Sequence, residues 1–163
     1  VADRFSKIGA ETVLPPANVN EVVGSSVMYF RTRIPRNVTL SYNGLAIAPV
    51  QAMINGALFE WVVENLLKNS LDALQGQGEI DVRISDDLEW VYIDVKDTGK
   101  GIPKSNFKRI FEPGFTTKTR GWGLGLSLSR RIIEEYHKGR IYVVDSEPGR
   151  GTTIRIALKR LYA

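Results

Sequence analysis

Three short strings follow one another through the middle of the chain: Asp97-Thr98-Gly99-Lys100-Gly101-Ile102, then Phe111-Glu112-Pro113-Gly114-Phe115-Thr116-Thr117-Lys118, then Gly121-Trp122-Gly123-Leu124-Gly125-Leu126. An aspartate at a strand end can accept a hydrogen bond from an exocyclic amine such as the adenine N6. Gly99 and Gly101 beside it let a flat base approach the backbone closely. A glycine run opening a helix offers free N–H groups and partial positive charge, which suit phosphate. Lys118 adds a point charge in a polar, glycine-bounded loop that reads as a lid. Taken singly, Asp-x-Gly is a common turn and Gly-x-Gly-x-Gly a common linker. In this order they read as a nucleotide pocket. The pattern is neither a Walker A loop, which needs Gly-Lys-Ser/Thr at the helix start, nor a dinucleotide fingerprint at the start of a βαβ unit.

A second constellation lies upstream. Residues 58–74 are mostly apolar, with Val62, Val63, Leu66, Leu67, Leu71 and Leu74 at helical spacing. Asn65, Asn69 and Asp72 interrupt them four and three residues apart. At about 100° per residue these fall on one narrow face. Asparagine is disfavoured inside helices, so a polar stripe flanked by leucines needs a polar partner. Asn69 fits a carboxamide ligand to Mg²⁺, an ion that takes few protein ligands when phosphates supply the rest.

The elements that must position these groups follow from periodicity. Residues 13–19, with Pro15-Pro16, read as a linker, and Asn20 as the cap of a helix to about Arg31. Residues 37–42 alternate as a strand. Pro49 is expected to start a long helix ending at Leu74. Residues 79–85 and 89–96 alternate as two strands, with Ile80, Val82, Ile84 and Val91, Ile93, Val95 on a buried face. A short helix is expected over 105–110, a loop over 111–122, a helix over 123–136, and a closing hairpin of 140–146 with 152–158. This predicts an α/β sandwich, a sheet covered on one face by helices.

Composition sets the class. The chain has 163 residues, 43% hydrophobic and 25% charged, and reads as one domain. Its net charge of +4 comes from scattered residues and marks no nucleic-acid surface. Absence of cysteine excludes disulfides and thiolate metal sites, and the single histidine, His137, excludes multi-histidine sites. No apolar stretch is long enough for a membrane helix, and no signal peptide is visible. The start at Val1 reads as a piece of something longer.

These motifs together resemble the ATP-binding catalytic domain of sensor histidine kinases, within the superfamily of gyrase-type topoisomerases, heat-shock chaperones and mismatch-repair proteins. Glu64-Asn65-Leu66-Leu67-Lys68-Asn69-Ser70-Leu71-Asp72-Ala73 resembles the asparagine box. Asp97-Thr98-Gly99-Lys100-Gly101 resembles the first glycine box, residues 107–115 the phenylalanine box, and residues 121–126 the second glycine box. Gly151-Thr152 resembles the last short box, and Tyr136-His137-Lys138-Gly139 the family's His-Gly-Gly turn.

The resemblance implies a Bergerat-type two-layer α/β sandwich with a mixed, mostly antiparallel sheet. It implies ATP and Mg²⁺ as cofactors, with Asn69 and Lys118 as catalytic residues and Asn69 as metal ligand. Nucleotide would be bound by Asn65, Asn69, Asp97, Gly99, Gly101, Ile102, Phe111, Thr117, Lys118, Gly121, Gly123, Leu124, Gly125, Leu126 and Thr152. Residues 1–12 resemble the end of a dimerisation helix and its linker, and 13–163 the catalytic domain. The implied activity is protein-histidine kinase, phosphorylating a histidine on the parent's dimerisation domain. That histidine lies outside this chain, so the chain alone is not expected to autophosphorylate. A response-regulator receiver domain downstream, a homodimeric parent and a cytoplasmic location, often as part of a membrane-bound sensor, are implied as well.

Some residues depart from the pattern. Trp122 stands where a small residue is usual, Asp72 where many kinases carry a base, and Gly114 where an aromatic or leucine is frequent. Hydrolytic members of the superfamily carry a glutamate at the position of Asn65, so phosphotransfer is favoured over hydrolysis. A conformational ATPase and a non-catalytic nucleotide-binding adaptor are the alternatives. His137 ends a helix, where an imidazolium would be favourable against the dipole, and is not read as a phosphoacceptor.

Overall fold

The computed structural model describes residues 13–44, 49–115 and 125–161. Helix α1 (Val19–Arg31) is capped by Asn18, whose side chain accepts from the Glu21 N–H at 3.2 Å. The cap is therefore Asn18 and not Asn20. Val19, Val23, Val27 and Phe30 are buried along one stripe.

The expected long helix is shorter at its start. Val50, Ala52 and Ile54 are buried while Gln51 and Met53 are exposed, a period of two that belongs to a strand. Residues Gln51–Met53 (β3) pair antiparallel with Pro16–Asn18 (β1), so part of the expected linker is also a strand. Helix α2 (Gly56–Leu74) begins only after Asn55, whose side chain accepts from the Leu58 N–H at 3.1 Å. It ends where Gln75 turns left-handed at φ 55°.

The main sheet runs β2 (Val38–Asn43), β4 (Gly78–Asp86), β5 (Trp90–Asp97), β7 (Gly151–Lys159), β6 (Arg140–Glu147). Only β2 with β4 is parallel; the other pairs are antiparallel. This is the mixed, mostly antiparallel sheet expected. Ile80, Val82, Ile84, Val91, Ile93 and Val95 are buried as the alternation required. They share one core with the apolar stripes of α1 and α2. On the opposite face the Arg155 guanidinium binds Asp94 through two hydrogen bonds, at 2.7 and 2.9 Å.

The short helix expected over 105–110 is two 3₁₀ turns, Lys104–Asn106 and Arg109–Phe111. Helix α3 (Gly125–Arg131) widens into a π turn at Ile132–Tyr136. Among the described residues no helix is long and apolar enough to cross a membrane.

Candidate nucleotide site

Asp97 closes β5, in step with the core residues Val91, Ile93 and Val95, so its carboxylate is carried to the buried face. It is 5% exposed, and three groups from separate elements donate to it: the Gly99 N–H at 2.9 Å, the Ser70 hydroxyl of α2 and the Thr152 N–H of β7. Burial pushes its carboxyl above the usual aspartate range, and these donors only partly offset that. A buried carboxylate with no cationic partner among these contacts is suited to a neutral donor such as an aromatic amine.

The loop after β5 is fixed on both sides. The Lys100 N–H donates to the Ala73 carbonyl of α2 at 3.1 Å, and the Gly149 N–H donates to the Lys100 carbonyl at 2.7 Å. Gly99 lies against the end of α2, and Gly101 against the turn after β6. The Ile102 N–H donates to the Ser146 hydroxyl at 2.8 Å, and its side chain packs on the core. At the start of β7, Gly151 has φ 113°, and a Cβ there would collide with the Asp97 carbonyl. Gly151→Ala is expected to cost roughly 2–3 kcal/mol in a denaturant melt, from strain at a left-handed position plus the collision.

Asn65 and Asn69 lie on α2, half-buried and one turn apart. The Ser129 hydroxyl of α3 donates back to the Gly125 carbonyl at 2.8 Å. With its one proton used there, it accepts from Asn65 Nδ2 at 3.0 Å. Gly125 is required by close approach: a Cβ there would sit 2.5 Å from Asn65 Oδ1. The asparagine helix is thereby locked to the first turn of the glycine-run helix. Leu126 is half-buried in that same turn. Asp72 is exposed on the third position of the stripe. Phe111 turns into the core instead of an open surface. Thr117, Lys118, Gly121, Trp122, Gly123 and Leu124 lie outside the described residues. A cavity of about 360 Å³ between α1 and α2 is lined by Ser25, Ser26, Tyr29, Arg33, Glu60 and Glu64; of the motif residues above only Glu64 reaches it, and Asn65, Asn69 and Asp97 do not.

His137 differs from its sequence reading. It is 6% exposed, its Nδ1–H donates to the Ile132 carbonyl at 2.9 Å, and its Nε2 accepts from the Asn55 N–H at 3.2 Å. A carbonyl can only accept and an amide N–H can only donate, so the ring is neutral. Burial lowers its pKa below the usual 6.5, outweighing the hydrogen bond to the Ile132 carbonyl, which acts the other way. A group with a depressed folded pKa gives stability present above its unfolded value and lost as pH falls. The domain is therefore expected to lose stability as pH falls below about 6.5. His137→Gln should flatten that limb in melts taken between pH 7.5 and 5.

Sequence reading missed three serines: Ser70, Ser129 and Ser146. Each also bonds a residue far along the chain, Ser70 to Asp97, Ser129 to Asn65 and Ser146 to Ile102, and these contacts are what bring the serines to the site.

Residues 55–161 match the family described as histidine kinase-, DNA gyrase B- and HSP90-like ATPase. The chain belongs to that family. Among its relatives, sporulation kinase A of Bacillus subtilis is 43% identical over 96 residues, covering 59% of this chain and 16% of its own length. Nitrogen regulation protein NtrY of Azorhizobium caulinodans is 32% identical over 171 residues, covering 98% of this chain and 21% of its own. The chain thus spans a small part of these relatives. The catalytic domain of histidine kinase ThkA superposes with a TM-score of 0.79 at 26% identity, covering 91% of this chain and 97% of that one. ThkA in complex with the response regulator protein TrrA matches with the same TM-score of 0.79 at 25% identity, covering 98% of this chain and 46% of that one. Within the ATPase family this chain is therefore an ATP-binding domain of the histidine-kinase type.

Proposed function

We propose that the chain binds Mg²⁺-ATP and transfers the γ-phosphoryl to a histidine on the dimerisation domain of its parent protein. The observation that carries this is Asp97: a buried carboxylate held by donors from α2, the glycine turn and β7, the kind of acceptor that suits an adenine amine. Asn69, one turn from Asn65, would hold the metal. Mg²⁺, when bound, neutralises charge on the phosphates. Lys118 and the N–H groups of residues 123–126 take up the remaining phosphate charge.

At transfer the bond from the γ-phosphorus to the ADP oxygen breaks as one forms to an imidazole nitrogen of the acceptor. Protein catalysis of such a step is largely positioning and charge stabilisation. Hydrolysis would need a base to activate water. At position 65 the chain offers an amide, and its Nδ2 is already committed to Ser129.

In this reading residues 1–12 are the end of the dimerisation helix and its linker, and 13–163 the catalytic domain. The parent is a homodimer in the cytoplasm or with this domain on the cytoplasmic side of a membrane. A receiver domain accepts the phosphoryl next, as the ThkA–TrrA complex suggests by likeness. The test combines this chain, γ-labelled ATP and the parent's dimerisation domain supplied separately. Label is expected on the histidine. Release of the label as free phosphate, with none on the histidine, would overturn the proposal.

A further inference from the structure

Asp97, Thr152 and Ser146 are register partners across β5, β7 and β6. Directly paired residues in antiparallel strands present their side chains on the same face. The three therefore form one row at the base end of the site. Thr152 is half-buried, and Ser146 is 9% exposed.

One placement of the protons satisfies all three contacts of Ser146 at once. Ser146 Oγ lies 2.8 Å from the Ile102 nitrogen, 2.9 Å from the Gly151 carbonyl and 2.8 Å from Thr152 Oγ1. The Ile102 N–H can only donate, so Oγ accepts from it. The Gly151 carbonyl can only accept, so the single Ser146 proton goes there. Oγ then has no proton left for Thr152, and Thr152 must donate to Ser146. The Thr152 hydroxyl is left with lone pairs alone for any further partner. Its own N–H is committed to Asp97.

We infer that Ser146 is a specificity-determining residue, which fixes the Thr152 hydroxyl as a second hydrogen-bond acceptor beside Asp97. The inference rests on the adenine-nucleotide reading above. Two adjacent acceptors match the 6-amino group of adenine, directly or through a water that needs acceptors. They oppose the 6-oxo group of hypoxanthine or guanine, which would meet lone pair with lone pair. Selectivity then belongs to a pair of groups, and Ser146 sets the polarity of one of them without touching the base.

The test compares binding of ATP and inosine triphosphate by calorimetry. The intact chain is expected to prefer ATP. Ser146→Ala removes the acceptor that holds the Thr152 proton and lets that hydroxyl donate elsewhere. The preference should fall by about tenfold, an effect the size of one mismatched buried hydrogen bond. Ser146→Thr, which keeps a hydroxyl, should restore it. Equal weakening of both nucleotides in Ser146→Ala, with the preference intact, would mean that Ser146 only braces the Ile102 loop, and would overturn the inference. Should Ser146→Ala fail to fold, Thr152→Val removes the same acceptor directly, and an unchanged preference there overturns it equally. An intact chain that binds both nucleotides alike, or neither, would sink the adenine reading itself.

Discussion

Asp97→Asn is expected to bind ATP about 10- to 100-fold more weakly, the loss that follows removal of a charged hydrogen-bond acceptor. Preference for ATP over GTP should shrink with it, because an amide can turn either an acceptor or a donor toward the base. Titration of the group gives a second signature. Burial raises the Asp97 pKa above its usual 3.8. Binding of an amine donor needs the ionised form, so ATP affinity should decline as pH falls through the raised value. The variant should lack that limb. The nucleotide-free fold responds in the opposite sense. A raised folded pKa gives stability that is full below the ordinary aspartate range and lost as pH rises through the folded value. Wild type should therefore show this loss in thermal melts and Asp97→Asn should not. Identical pH profiles for the two proteins would remove Asp97 from base recognition.

Asn69→Ala is expected to lower phosphotransfer to a separately supplied dimerisation domain by about 100- to 1,000-fold, the scale seen when one group stabilising a reacting charge is deleted. The position on α2 makes the test clean. Asn69 is half-buried, one turn beyond Asn65 and beside the buried Ser70, so truncation to alanine leaves a good helix former in place. ATP binding without magnesium should change little, and the gain that magnesium gives should vanish. Calorimetry with and without the ion separates the two. Full retention of the magnesium gain would reassign the metal to another residue.

Much of this site was legible because its parts obey local rules. The stripe of Asn65, Asn69 and Asp72 needs only the pitch of a helix, and Asp97 needs only the alternation of β5 to be placed on the buried face. What escaped depends on partners far along the chain. Ile102 and Ser146 meet across 44 residues, and Asn65 and Ser129 across 64. A serine that bonds a strand or a helix at that distance looks like any other serine. The start of α2 was misplaced because Pro49 is a familiar helix opener, while the alternation of Val50, Ala52 and Ile54 decides for a strand through its pairing with β1. His137 was read from the dipole at a helix end, whereas its burial and its two backbone partners hold the ring neutral. The phosphate loop falls partly outside the described residues, and its departure at Trp122 lies there.

The donors on Asp97 arrive from a helix, a turn and a strand that are remote in sequence. A base that docks there inspects, in one event, whether all of them have come together. Partly assembled chains would be blind to adenine, so nucleotide would accumulate only on finished domains and would hold them closed against unfolding by mass action. In a cell where ATP is abundant, the fuel of the reaction would double as a chaperone for the machine that consumes it.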